Sequence, residues 1–196
     1  MMKTLYCFDF DGTLTNADTM FMFLRFYQPE MFYFQFIKHL PLFLLYGLKI
    51  LSATYVKKSL IRAMLGGATR NELKVKADEF FREKQVAICR EKAVAFISKI
   101  DRKEADCYIV SASLDIWLKP FAGYLNMELV ATEAKYENNL FTGDFSTPNC
   151  TGKEKVNRMK QAIEGKRYKQ IIAFGDSDGD RELMAWADVA YYRFFH

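Results

Sequence analysis

The feature that most constrains this chain is its first stretch, Leu5-Tyr6-Cys7-Phe8-Asp9-Phe10-Asp11-Gly12-Thr13-Leu14-Thr15. An apolar run closed by a glycine reads as a buried strand. Two aspartates stand one residue apart at its carboxyl end, and open parallel sheets bind ligands outside the carboxyl ends of their strands. Residues two apart on a strand end point the same way, so Asp9 and Asp11 are expected on one face. Carboxylates this close repel each other unless a proton or a cation compensates. Magnesium, a hard cation that prefers oxygen, suits them. Taken alone, an Asp-Gly turn after a strand accounts for Asp11-Gly12 equally well.

At 196 residues the chain is long enough for one domain with an elaboration. Hydrophobic residues make up 51% and charged residues 27%, which excludes a disordered chain. Met1-Met2-Lys3 and the short apolar run broken by Asp9 do not form a signal-peptide pattern. Cys7, Cys89, Cys107 and Cys150 stand singly, which argues against a zinc site or disulfide framework and suits a reducing cytoplasm. The net charge of +4 is unevenly placed. Between Asp18 and Glu72 the only acid is Glu30, against Arg25, Lys38, Lys49, Lys57, Lys58, Arg62 and Arg70. These cations are interleaved with aromatics rather than gathered in a nucleic-acid reader, so no nucleic-acid partner is expected.

The apolar spacing turns helical after Thr15. It predicts a helix from residue 18 or 19 to 26, closed off by Pro29, and a second, unusually apolar segment over 31–51. A third helix over 53–65 is stopped by Gly66-Gly67, and a fourth over 69–82 opens on a Thr69-Arg70-Asn71-Glu72 capping box. From residue 85 helix and strand alternate, the mark of a doubly wound α/β fold. Strands are expected at 107–111, 127–131, 170–175 and 189–192, with a hairpin at 134–145 around Asn138-Asn139. The expected organisation is a Rossmann-like parallel core, 1–15 plus 85–196, with an all-helical cap at 16–84.

Polar groups suited to phosphate transfer stand at further element ends. Ser111 follows the second strand, where its hydroxyl and the next N–H groups, Ala112 included, can hold a phosphoryl oxygen; a helix-capping serine is the plainer reading. Lys153 opens the helix after Thr151-Gly152 and can neutralise phosphate, although a first-turn lysine is ordinarily just solvated. Gly175-Asp176-Ser177-Asp178-Gly179-Asp180 gathers three carboxylates in five residues, which points to a bound cation over a plain acidic loop.

Asp9-Phe10-Asp11-Gly12-Thr13-Leu14, Ser111, Lys153 and Gly175-Asp176 through Asp180 resemble, in order, the four motifs of the haloacid dehalogenase-like (HAD) hydrolases. The resemblance spans nearly the whole chain and implies an aspartate-nucleophile phosphatase. Asp9 would form an aspartyl-phosphate, and Asp11 would protonate the leaving group and then activate water. Mg²⁺ would be held by Asp9, the Asp11 backbone carbonyl and Asp176, with Asp180 orienting metal-bound water or Lys153. Ser111 and Lys153 would share the remaining phosphoryl charge. Asp11 suits phosphoryl transfer over dehalogenation, because an alkoxide needs a proton and a halide does not.

The helical insertion after the first motif resembles a type-1 cap, and with Asn149-Cys150-Thr151-Gly152-Lys153 it is similar to the phosphoserine-phosphatase-like (IB) subfamily. That likeness implies Asp18 and the cap residue Arg62 as substrate contacts, although Gly179 stands where the serine enzymes usually carry asparagine. Residues 21–55 hold eleven of the 31 aromatics. They suit the cap's own core, or a membrane surface or lipid-like substrate, and the segment also resembles the cap of the phosphatidylglycerophosphate phosphatases. Gln35, Lys38, His39, Pro41 and Lys49 interrupt 31–51, which favours an interfacial surface, such as peripheral contact at the inner face of a membrane, or a dimer-forming surface over a span. The substrate is thus a small polar phosphomonoester or a lipid phosphate. A non-catalytic membrane- or partner-binding module, and phosphotransfer to an alcohol, are the alternatives.

Overall fold

The computed structural model describes residues 2–196; Met1, part of the start read above, lies outside the described residues. Five parallel strands form the central sheet: β1 (Lys3–Phe8), β2 (Ala105–Leu114), β3 (Glu128–Thr132), β6 (Tyr168–Gly175) and β7 (Val189–Tyr192). Their order is β3-β2-β1-β6-β7. Between β2 and β7 lie helices α6 (Asp115–Tyr124), α7 (Lys153–Ala162) and α8 (Arg181–Trp186), and an antiparallel hairpin of β4 (Ala134–Glu137) and β5 (Leu140–Phe145). This is the expected Rossmann-like doubly wound fold.

A parallel sheet needs both faces covered, and alternation along the strands divides the core accordingly. Leu5 and Cys7 of β1 pack with Val110, Met159 and Leu183, under α7 and α8. Phe8 joins Ile109, Phe174, Ile97 and Trp117 on the other face, under α6 and helix α5 (Glu91–Ser98). Phe8 stacks on Phe174 with centroids 4.6 Å apart. Strand order reverses between β1 and β6, so the carboxyl ends of these two strands open a crevice at the switch point. Asp9 and Asp176 stand at its two lips.

The insertion after β1 is helical: α1 (Thr19–Tyr27), α2 (Pro29–Gly47), α3 (Ala53–Leu65) and α4 (Arg70–Ile88). Pro29 sits in the first turn of α2, where its missing N–H costs nothing. Pro41 lies inside α2, which nevertheless continues; Phe36 and Phe43, 5.2 Å apart, pack with Phe21 of α1 and hold it in place. The fourth helix does not stop at residue 82. Glu83–Ile88 contains no glycine or proline, so α4 runs on to Ile88, and a boundary between 84 and 85 falls inside a continuous helix. The two chain crossings between cap and core lie side by side, with Thr15 bridged to Cys89 and the Arg90 N–H donating to the Leu14 carbonyl at 2.8 Å. The four cysteines are free and buried.

Candidate active site

At the carboxyl edge of β1 and β6, Asp9 is 6% exposed and receives a hydrogen bond from Lys155 Nζ to its Oδ1 at 2.6 Å. The same ammonium donates to Asp180 Oδ1 at 2.5 Å. Asp180 Oδ2 accepts from the Asp176 N–H, the Ser177 N–H and the Ser177 hydroxyl at 3.2, 3.1 and 2.9 Å. Lys153, the lysine expected here, is exposed at the first position of α7. The correction has a helical reason. Two residues turn about 200° around an α-helix, so Lys153 and Lys155 face opposite ways. Only Lys155 shares a face with the buried Met159, at i,i+4. A lysine on the apolar stripe of an otherwise polar helix was the available signal.

Burial pushes the Asp9 carboxyl up to about 7, with Lys155 opposing and Asp180 and Asp11 adding. Burial also works against the charge of Lys155, but Asp9 and Asp180 outweigh it and hold the ammonium protonated well above the usual range. For Asp180 burial is again opposed, and Lys155 with the Ser177 and Asp176 hydrogen bonds keeps its pKa low. One lysine thus faces several carboxylates. Asp9, Asp176 and Asp180 bring oxygens within 4.8 Å of one another. An all-oxygen donor set with surplus negative charge fits a hard divalent cation. Both oxygens of Asp180 already have protein donors, which leaves Asp9 and Asp176 with the carboxylate oxygens free to meet such a cation. Gly12, at φ +82°, belongs to this packing, since a Cβ there would strike the Asp176 carboxylate. Asp178 points away, its side chain 93% exposed and paired with Arg181.

The Asp11 carboxylate is fixed at both ends. Its Oδ1 accepts from the Thr19 N–H at 2.7 Å and the Thr19 hydroxyl at 2.6 Å, and its Oδ2 lies 2.5 Å from the Ser113 hydroxyl. Trp117 Nε1 donates to Thr19 Oγ1 at 3.1 Å. Reasoning from sequence missed Thr19, Ser113 and Trp117; a threonine at a helix start and a serine near a strand end are too common to stand out.

Ser111 is buried, and its hydroxyl accepts from the Ser113 N–H at 3.1 Å. It lies within β2 rather than after it, and α6 begins only at Asp115, so no helix start follows it directly. The Ala112 carbonyl accepts from Thr132 Oγ1 and from Lys57 Nζ of α3. Arg62, the expected cap contact, is not in this cleft. It lies on the β4–β5 hairpin, its guanidinium 3.8 Å from Asp144, where Gly143 leaves room for its stem. Lys57, just over a helical turn earlier, reaches the cleft instead. Burial pushes its pKa down to about 8, with Asp11 and Asp18 opposing. Asp18 caps α1, its Oδ1 accepting from the Met20 and Phe21 N–H groups, and burial raises its pKa with Asp11 adding. Together Asp9, Asp11, Asp18, Lys57, Ser111 and Lys155 line a cavity of about 200 Å³. A hollow of about 300 Å³ between α4 and α6 is larger, but its charges are largely paired, Lys74 with Asp78 and Lys119 with Asp115.

The sequence model of the haloacid dehalogenase-like hydrolases matches residues 7–185. The chain belongs to the haloacid dehalogenase-like hydrolases. This hydrolase is 32% identical over 193 residues to Protein CicA of Caulobacter vibrioides, spanning 97% of the present chain and 86% of the relative. Its fold is similar to that of a protein of unknown function from Bordetella pertussis Tohama I, with a TM-score of 0.83 at 20% identity, covering 97% and 89% of the two chains. It is also similar to a substrate-bound phosphoserine phosphatase, with a TM-score of 0.66 at 17% identity, covering 98% and 86%. The hydrolase therefore shares the fold of these two proteins.

Proposed function

We propose that this hydrolase cleaves phosphomonoesters through an aspartyl-phosphate on Asp9, with Mg²⁺ as cofactor. The observation that carries the reading is the Asp9 carboxylate at the floor of the cleft, held by a lysine whose other contact is Asp180. Asp9 attacks phosphorus, the ester P–O bond breaks, and the leaving oxygen takes a proton from Asp11. Water then attacks the aspartyl-phosphate and returns its proton to Asp11, releasing phosphate and free Asp9. Thr19 fixes Asp11 Oδ1 with two donors, so Oδ2 carries the proton, because the Ser113 hydroxyl beside it both donates and accepts. Lys155 and the Ser111 hydroxyl hold the phosphoryl oxygens, and Asp180 holds Lys155. Asp9, Asp176 and the Asp11 carbonyl would hold Mg²⁺, which would supply charge neutralisation at the phosphoryl group. Lys57 offers a cation to a second anionic group of the substrate, with Asp18 close by.

The test is Mg²⁺-dependent phosphate release from p-nitrophenyl phosphate, from phosphoserine, and from phosphatidylglycerophosphate in mixed micelles. Asp9→Asn should lower kcat by about a thousandfold or more, since no nucleophile remains. Retention of full activity would overturn the reading. The preferred substrate separates a soluble monoester from a lipid phosphate.

A further inference from the structure

Helix α2 is apolar on two neighbouring faces about 100° apart, and its fold uses only one. Phe32, Phe36, His39 and Phe43 recur at helical spacing on the side packed toward α1 and α3, where His39 Nε2 meets Ser59 Oγ at 3.0 Å. The solvent side repeats the spacing with Tyr33, Ile37, Leu40 and Leu44, flanked by Phe34 and Leu48. Ile37, Leu44 and Leu48 are 64%, 66% and 62% exposed. A contiguous apolar face of this kind marks an interaction surface rather than a scatter of exposed side chains.

Charge decides the occupant. Glu30 is the only acid of α2, while Lys38 lies 4.4 Å from the Phe34 ring, Arg25 of α1 lies 5.6 Å from the Tyr33 ring, and exposed Lys49 follows the helix. Cations seated beside aromatic rings at the rim of an apolar face suit a boundary where anionic headgroups meet hydrocarbon. A second copy fits less well. Lys38 is the middle residue of Pro29–Gly47, so an antiparallel two-fold pairing centred on α2 would set the two Lys38 side chains level with each other along the rim of the contact, with no acid of α2 opposite either. Among the described residues no helix is long and apolar enough to cross a membrane.

We propose that the outward face of α2, from Tyr33 to Leu48, docks along an anionic lipid surface. Aromatic and aliphatic side chains enter the headgroup region, and Arg25, Lys38 and Lys49 pair with lipid phosphates. The contact is independent of the catalytic cleft.

The test is flotation of the full chain with vesicles of phosphatidylcholine alone and of equal parts phosphatidylcholine and phosphatidylglycerol. Neither lipid is a phosphomonoester, so failure here leaves the phosphatase reading standing. The protein should float with the mixed vesicles and about tenfold less with phosphatidylcholine, and high salt should weaken the binding. The exposed double substitution Ile37→Gln/Leu44→Gln should abolish flotation while thermal unfolding and p-nitrophenyl phosphate hydrolysis stay at wild-type levels. Lys38→Glu/Lys49→Glu should weaken binding to the mixed vesicles by about tenfold or more. Absence of flotation with either vesicle overturns the proposal, as does flotation undiminished by Ile37→Gln/Leu44→Gln. A dimer in sedimentation that this substitution converts to monomer, with neither form floating, overturns it in favour of a second copy.

Discussion

Lys155 is the side chain on which the charge balance of the cleft turns. Its ammonium is 2% exposed and touches two carboxylates, so removing it leaves Asp9 and Asp180 buried and facing each other. Lys155→Met should cost about 3–5 kcal/mol of stability, the usual result of deleting one partner of a buried ion pair. It should also lower kcat by about a hundredfold or more under conditions where circular dichroism shows it folded. Lys153→Met, on the opposite side of α7, should change stability by no more than about 0.5 kcal/mol and leave activity intact; the reverse ranking would return the role to Lys153. Lys57 gives a pH signature. With its pKa pushed down to about 8, it is cationic below that pH and neutral above it. KM for an anionic ester should therefore rise as pH passes upward through about 8, by up to roughly tenfold for the loss of one charge-assisted contact. Lys57→Met should show the high KM at every pH, and Lys57→Arg should keep the low KM into the alkaline range. A KM profile identical in wild type and Lys57→Met would show that Lys57 does not meet the substrate.

At the scale of elements, the cleft depends on how α1 and the hairpin fix the cap. Thr19 at the start of α1 joins three elements, since it donates twice to Asp11 after β1 and accepts from Trp117 of α6. Thr19→Val keeps the shape and the backbone donor but strands the buried Trp117 N–H and removes one donor from Asp11. The expected cost is about 1–3 kcal/mol in urea unfolding, together with a lower kcat and a displaced pH profile for the acid–base step. A loss of stability with kcat and its pH profile unchanged would make Thr19 a packing residue only. The hairpin explains the fate of Arg62. It is tied to the cap by backbone hydrogen bonds from Gly67 N–H to the Phe141 carbonyl, Phe141 N–H to the Ala68 carbonyl and Arg70 N–H to the Asn139 carbonyl, at 2.8, 2.9 and 3.0 Å. Asp144 of β5 then lies against α3 and takes both Lys58 and Arg62. Nothing in the local sequence of α3 tells that β5 will claim its single arginine and leave Lys57 facing the cleft.

For the whole molecule, a parallel sheet with a switch point between β1 and β6 follows from the chain's own order of apolar runs and turns. Short-range physics is sufficient there. Alternation marks strands, 3.6-residue spacing marks helices, and carboxylates at strand ends mark the crevice, so the core fold and the positions of Asp9, Asp11, Asp176 and Asp180 could be read from the amino acids. The aromatic excess of residues 21–55 was legible as an excess but not as a placement. Phe23 and Phe32 turn inward and Tyr33 and Phe34 outward, and either face of α2 would have served as a core by periodicity alone. Which of two apolar faces is buried depends on what α1 and α3 present to it. Whether Lys153 or Lys155 of α7 meets Asp9 depends on the rotation at which Met159 locks that helix to the sheet. Residue type and spacing by themselves determined which carboxylates gather at the crevice. Only the tertiary structure decided their partners, because partnership across about 100 residues of sequence is set by packing between elements and not within them.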